Sequence, residues 1–152
     1  LVVLRTFSKA MSMAGLRVGY LLGHPPLVEQ IGKAKLPYNL NIFSMTAAEA
    51  AVEHFGLLQP QIELLIKERE RLLGQLQQTR GVTAYPSQAN FIAFKTQFPA
   101  AHVFEALYSK GILVRDISRY PMLENFLRVS VGSPQENDQF LEALRSFLAT
   151  RL

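Results

Sequence analysis

Cysteine is absent from these 152 residues. That excludes both a disulfide framework and a thiolate metal site. Histidine is scarce: His24, His54 and His102 are scattered without ligand spacing, so no metal site is expected. No apolar run approaches the length that crosses a bilayer, and no signal-peptide pattern stands at the start. The expectation is a cytoplasmic protein with no membrane partner. Long runs of one charge are missing too. The net charge is +4, but the Lys and Arg residues are dispersed. The densest cluster, Lys67-Glu68-Arg69-Glu70-Arg71, interleaves both signs and reads as a solvated helix face. Such a chain lacks the basic footprint of a nucleic-acid platform. Internal repeats and low-complexity tracts are likewise absent. What is present is a folding composition, 49% hydrophobic against 18% charged, in a chain long enough to bury a sizeable core.

The chemistry-bearing stretch runs from Arg5 to Tyr20. Leu1-Val2-Val3-Leu4 reads as a buried strand. Ser8-Lys9 follows, and Arg17 stands eight residues further on, inside Gly15-Leu16-Arg17-Val18-Gly19-Tyr20. A lysine closing a buried strand is open to desolvation, which favours its neutral, nucleophilic amine. A hydroxyl and a planar guanidinium nearby suit a phosphate. A lysine amine beside a phosphate clamp points to pyridoxal phosphate. Read blandly, Lys9 is a solvated loop residue, and strand-Ser-Lys alone does not separate the two.

Two more arginines stand in informative places. Arg128 interrupts the apolar strand Phe126-Leu127-Arg128-Val129-Ser130-Val131, on the face opposite Leu127 and Val129. A cation there needs an anionic partner: Asp116, Glu124 or a helix acid within the fold, or a ligand held bidentately. Arg115 closes the strand Ile112-Leu113-Val114, where a solvated charge is as good a reading as a ligand contact. Lys110 and Arg119 read as plain surface charges. Asn90 precedes Phe91, and its role is left open.

Around these positions the pattern gives a strand over Val18 to Leu22 and a break at His24-Pro25-Pro26. A helix follows over Leu27 to Leu36, then a connection at Pro37 to Asn41. A second helix is expected from Ser44 or Thr46, with Thr46-Ala47-Ala48-Glu49 as its capping box, running to about Gly56. A third begins at Pro60 and stops at Gly81. Strands over Val82 to Tyr85 and Asn90 to Phe94, and a helix over Ala101 to Lys110, come next. A last helix opens at the capping box Ser133-Pro134-Gln135-Glu136 and carries a Phe140, Leu141, Leu144, Phe147, Leu148 stripe. The fold class is α/β. A domain boundary is expected near residue 37. It separates residues 1–37, strands without enough partners for a sheet of their own, from residues 38–152, a small α/β domain with a short sheet covered by helices.

The Ser8-Lys9 to Gly19 segment resembles the lysine segment of fold-type-I pyridoxal-phosphate enzymes, and its wording is most similar to the histidinol-phosphate aminotransferase family. The resemblance covers essentially the whole chain. It implies that residues 1–37 end a large cofactor domain and that the chain, which starts inside a strand, is the C-terminal piece of something longer. It implies that Lys9 is catalytic and holds the cofactor, with Thr6, Ser8 and Arg17 as further cofactor-binding residues. Arg128, in a Leu-Arg-x-x-Val-Gly strand, would grip the substrate α-carboxylate. Arg115 would meet an anionic side chain, a phosphate in this family. The implied reaction is transamination of histidinol phosphate in histidine biosynthesis, with glutamate and 2-oxoglutarate as amino partners, by a homodimer. The acid that pairs the cofactor's ring nitrogen, the aromatic that stacks on the ring and the Gly-rich phosphate contacts belong upstream. This piece alone is therefore expected to be inactive. The alternatives are an aromatic aminotransferase, a threonine-phosphate decarboxylase or a non-catalytic α/β interaction domain.

Overall fold

The structure, a computed structural model, describes residues 1–151. Two compact units divide it, Leu1–Ile62 and Glu63–Leu152. The division falls inside a helix, whereas the boundary expected near residue 37 lies in a loop of the first unit.

The first unit opens with strand β1 (Val2–Thr6), a 3-10 turn at Ala14–Leu16 and strand β2 (Gly19–Gly23). The strands pair antiparallel as a two-stranded ribbon, with Thr6 opposite Gly19 as the last ladder pair. The expected strand is present, but it is not buried: all five residues of β1 are exposed. Among the described residues its one strand partner is β2, and a lone ribbon gives a strand no third neighbour to bury its apolar side chains. Helix α1 (Pro25–Lys33) begins at the two prolines expected to mark only a break. His24 caps it, and proline suits the first helical turn, where its missing N–H is not needed. Helix α2 (Ile42–Glu53) starts earlier than expected. Its cap is Asn41, whose Oδ1 accepts from the Ser44 backbone N–H at 2.9 Å, rather than a box at Thr46. Phe7, Val18 and Ala51 form the buried core of this unit.

Helix α3 (Phe55–Gln77) contains Pro60 instead of starting there. The proline sits in the second turn, and the Gly56 carbonyl that loses its helical donor is on an exposed residue. Beyond it the second unit continues with β3 (Val82–Ala84), β4 (Phe91–Thr96), α4 (Ala100–Tyr108), β5 (Arg115–Asp116), β6 (Phe126–Ser130) and α5 (Pro134–Ala149). The sheet order is β3-β4-β6-β5, and every pairing is antiparallel. Ile92, Phe94, Leu127 and Val129 turn one face towards Leu72 and Leu76 of α3, Val103 and Leu107 of α4, and the stripe of α5 from Phe140 to Leu148. The α5 capping box forms as expected, with Ser133 and Glu136 bonded reciprocally.

The strand expected over Ile112 to Val114 does not form. Gly111, at φ +77°, turns the chain out of α4, and the Ile112 N–H donates to the Leu107 carbonyl at 3.0 Å. That donor closes the helix end and is lost to any ladder. Pairing begins only at Arg115. The cluster around Glu68 is not a solvated face either: Glu68 is 4% and Arg69 6% exposed. Glu68 is buried because the second unit supplies partners for it. Its Oε2 accepts from Arg71 Nη2 at 2.8 Å and from Asn137 Nδ2 at 2.9 Å.

Candidate functional site

The first group of candidate residues gathers where the β1–β2 ribbon ends. Phe7 N–H donates to the Val18 carbonyl at 3.2 Å, continuing the ladder beyond Thr6 and Gly19. Ser8 and Arg17 are the next residues beyond that bond, just outside the two strands. Thr6 Oγ1 accepts from the Ser8 N–H at 3.1 Å, which fixes the start of the loop. The Lys9 carbonyl then accepts from Ser12 N–H at 2.9 Å and closes a turn. Arg17 sits in the left-handed region at φ 56°, and its Nη1 donates to the Ala14 carbonyl at 2.9 Å. A non-glycine residue held there marks backbone set by its surroundings. Gly19 is required by close approach: a Cβ there would lie 2.7 Å from the Arg5 carbonyl oxygen.

Lys9 is exposed, not desolvated. The reason is the ribbon that carries it, which is itself exposed. Among the described residues neither the Lys9 amine nor the Ser8 hydroxyl has a hydrogen-bond or ion-pair partner, and Arg17 spends only Nη1. An amine, a hydroxyl and most of a guanidinium are thus uncommitted around one loop. That donor set can take an anion and leave the amine free to act as a nucleophile or base.

The second group lies on the open face of the four-stranded sheet. Arg115 of β5 and Arg128 of β6 are register partners, so both side chains leave the same face. They line a cleft of about 620 Å³ together with Arg119, Asp116 and Ser118. No carboxylate is within ion-pair distance of Arg115, Arg119 or Arg128 among the described residues. Asp116 turns away from the arginines in its bonding: its Oδ1 accepts from both the N–H and the hydroxyl of Ser118. The internal salt bridge weighed for Arg128, to Asp116, Glu124 or a helix acid, is absent. Its guanidinium lies 4.8 Å from the Phe91 ring centroid. Its Nε is the one buried side-chain polar atom without a hydrogen-bond partner among the described residues. Buried donors are normally satisfied, so this one calls for an acceptor. Two like charges directly opposite on adjacent strands also repel unless an anion lies between them.

Lys9, Ser8, Thr6 and Arg17 therefore stand in the first unit, and Arg115 and Arg128 in the second. Sequence reasoning missed Arg119 as a lining residue of the cleft. The available signal was its spacing of four from Arg115 across a turn-forming Asp-x-Ser. Asn90 contributes backbone: its carbonyl accepts from the Val131 N–H at 2.9 Å and extends the β4–β6 ladder.

A lysine loop on an antiparallel ribbon, with a helix-backed sheet bearing an arginine cleft, defines an α/β chain equipped for anionic ligands. The model of the aminotransferase class I and II family matches residues 1–144, and the chain belongs to that family. It is 44% identical over 144 residues to the histidinol-phosphate aminotransferase of Aquifex aeolicus, an alignment covering 94% of this chain and 40% of that protein. It is 39% identical to the same enzyme of Prosthecochloris aestuarii, covering 95% of this chain and 40% of the relative. Among solved structures, the histidinol-phosphate aminotransferase of Sinorhizobium meliloti in complex with pyridoxal-5'-phosphate matches with a TM-score of 0.81 at 26% identity. It covers 99% of this chain and 42% of that one. The L-threonine-O-3-phosphate decarboxylase of Porphyromonas gingivalis matches with a TM-score of 0.86 at 25% identity, covering 98% and 47%. The chain spans about 40% of the length of the curated relatives it matches.

Proposed function

We propose that this chain is part of a pyridoxal-phosphate-dependent aminotransferase of the cytoplasm that acts, as a homodimer, on histidinol phosphate with 2-oxoglutarate as amino acceptor. The observation that carries the substrate half of this reading is Arg128. A half-buried arginine whose buried Nε has no partner among the described residues, lining a cleft and opposite a second arginine, supports an anionic ligand. Its fork suits the planar α-carboxylate of glutamate or 2-oxoglutarate, and equally the phosphate that histidinol phosphate carries in place of a carboxylate. Arg115, exposed across the strand pair, suits the anionic side chain.

The residues of the lysine loop fit the cofactor. The uncommitted Lys9 amine suits its aldehyde, and Ser8 and Arg17 supply hydroxyl and guanidinium donors for its phosphate, with Thr6, whose hydroxyl donates to the Val18 carbonyl at 3.5 Å, placing the Ser8 backbone. When bound, the cofactor supplies an electron sink for the negative charge that develops at the substrate α-carbon. Lys9 Nζ takes the proton from that carbon and later returns one, as base and then acid. Arg128 holds the anionic group attached to the α-carbon, the carboxylate of glutamate or the phosphate arm that histidinol phosphate carries in its place, and so fixes the orientation of the C–H bond. In this reading residues 1–37 end a large cofactor domain, residues 38–152 form the small domain, and the reaction also needs groups supplied outside these residues.

Turnover of histidinol phosphate by the full-length protein tests the reading. Lys9→Ala should abolish transamination. Arg128→Ala should lower kcat/KM by about a hundredfold or more, the loss of a charge-assisted bidentate contact of about 3 kcal/mol. Arg17→Ala should speed cofactor loss on dialysis. Wild-type turnover in the Lys9 variant would contradict the assignment. The structural likeness to a threonine-phosphate decarboxylase keeps one second reading, release of carbon dioxide from a phosphorylated amino acid. Product analysis separates it: carbon dioxide from a phosphorylated amino acid supports that reading, and glutamate formed from 2-oxoglutarate supports ours.

A further inference from the structure

The sequence leaves the Asn90-Phe91 pair without a role, and the fold gives its aromatic member one. Asn90 fixes the entry to β4: its carbonyl accepts from the Val131 N–H at 2.9 Å, and Phe91 then pairs with Ser130. Arg128 pairs with Ala93, so Phe91 and Arg128 are diagonal neighbours on the open face of the sheet. Diagonal positions are within reach of an aromatic ring and a long side chain. The Arg128 guanidinium lies over the Phe91 ring, 4.8 Å from its centroid.

The other neighbours leave that guanidinium unheld. Among the described residues Arg128 makes no hydrogen bond and no ion pair. Its register partners are Ala93, too short to reach its head group, and Arg115, which repels it. Phe126, two residues earlier on the same strand, is engaged elsewhere: its ring lies 5.2 Å from that of Tyr85, and Lys95 Nζ stands 5.5 Å from its centroid. Arg128 and Ser130 line the cleft, whereas Phe91 is not among its lining residues. The ring thus meets the arginine without facing the ligand space. A long, flexible side chain loses freedom when it grips a ligand, and that cost falls on binding. A ring over one face of the guanidinium confines it beforehand and leaves its N–H edge free.

We propose that Phe91 is a positioning residue for substrate binding: its ring confines the Arg128 guanidinium so that the N–H edge meets the anionic group attached to the substrate α-carbon. This deepens the proposed function and rests on its reading of Arg128 as the anchor of that group.

The test is a double-mutant cycle on the cofactor-loaded full-length protein. The readout is the apparent second-order rate constant for glutamate alone, followed by the absorbance of the cofactor. Phe91→Leu keeps apolar bulk and removes the ring face, and should lower that constant about fivefold to tenfold. Phe91→Tyr keeps the face and should recover most of the loss. In the Arg128→Ala background the ring has nothing to hold, so adding Phe91→Leu should change the rate less than about twofold. Hydroxylamine attacks the cofactor aldehyde but carries no anionic group. It should react with wild type and Phe91→Leu at rates within about twofold of each other. Where Phe91→Leu does not fold, Phe91→Met replaces it. An unchanged glutamate rate in Phe91→Leu would overturn the proposal. So would losses that multiply in the double variant, a Phe91→Tyr variant as slow as Phe91→Leu, or an equal loss with hydroxylamine. The parent reading is scored separately. A slow Arg128→Ala variant beside an unaffected Phe91→Leu variant removes the role of Phe91 alone. An Arg128→Ala variant with the wild-type rate, or wild-type protein inert to glutamate, removes the anchor on which both stand.

Discussion

Gly19 and Lys9 show what a single residue reveals and conceals. The motif spacing put Lys9 after a strand and Arg17 near its partner strand, and both stand where the ribbon ends. The environment was not legible. Apolar letters in Leu1 to Leu4 suggested burial, but burial depends on what lies against a strand, and among the described residues β2 is the one strand paired with β1. Arg119 was missed for a related reason: its place in the cleft depends on two turns built by Asp116, Ser118 and Tyr120 rather than on its own type. Gly19, by contrast, has a purely local explanation that can be checked. A Cβ at 2.7 Å from the Arg5 carbonyl oxygen forces β1 and β2 apart. Gly19→Ala should cost about 1–3 kcal/mol, the range for overpacking, seen as a lower melting temperature. Gly15→Ala is the control. A Cβ at Gly15 meets nothing within 4 Å, so its melting temperature should stay within about a degree or two of wild type.

At the scale of elements, α3 and the β6–α5 junction are joined by one buried polar network. Asn137 Oδ1 accepts from Gly132 N–H at 3.0 Å while its Nδ2 donates to Glu68 Oε2. Arg71 bonds Glu68 through Nε and Nη2, and reaches Asp138 at 2.6 Å and the Pro134 carbonyl at 3.3 Å. The segment tied down begins two residues after β6, the strand that carries Arg128. Sequence reading took Glu68 as solvated because its neighbours alternate in charge, and the partner that buries it lies 69 positions away. The helices and their apolar stripes were legible from periodicity, as α5 shows with Phe140, Leu141, Leu144, Phe147 and Leu148 all buried. Asn137→Ala leaves the Gly132 N–H without a partner and removes one of the donors to the Glu68 carboxylate, which keeps Arg71, and should destabilise the second unit by about 1–3 kcal/mol in denaturant titration. The network also gives a pH signature. The hydrogen bond from Arg71 is the largest influence on the Glu68 carboxyl and, with that from Asn137, outweighs burial to hold it below its ordinary value of 4.5. A depressed folded-state pKa means the unfolded chain binds the proton more tightly. The Glu68 contribution is then complete above about pH 4.5 and fades as pH falls through the lower, folded value. Thermal melts between about pH 6 and pH 3 should show a steeper loss for wild type than for Glu68→Gln, and parallel curves would count against this network.

For the molecule as a whole, the two candidate clusters lie in separate compact units, joined by the continuous helix α3. The α/β class was legible from the alternation of short strands with amphipathic helices. Pro37 and Asn39 mark a loop in sequence, whereas contacts divide the chain inside α3, because compactness is set by packing rather than by turn residues. Membership of the aminotransferase class I and II family unites the clusters in one expectation, a lysine that binds an aldehyde cofactor and arginines that hold a substrate. The most direct test addresses the lysine. The full-length protein, loaded with pyridoxal phosphate, is reduced with borohydride and digested, and the labelled peptide is located by mass spectrometry. The account predicts a phosphopyridoxyl group fixed on Lys9. A label on Lys33, Lys35 or another lysine, or no stable label at all, would contradict it.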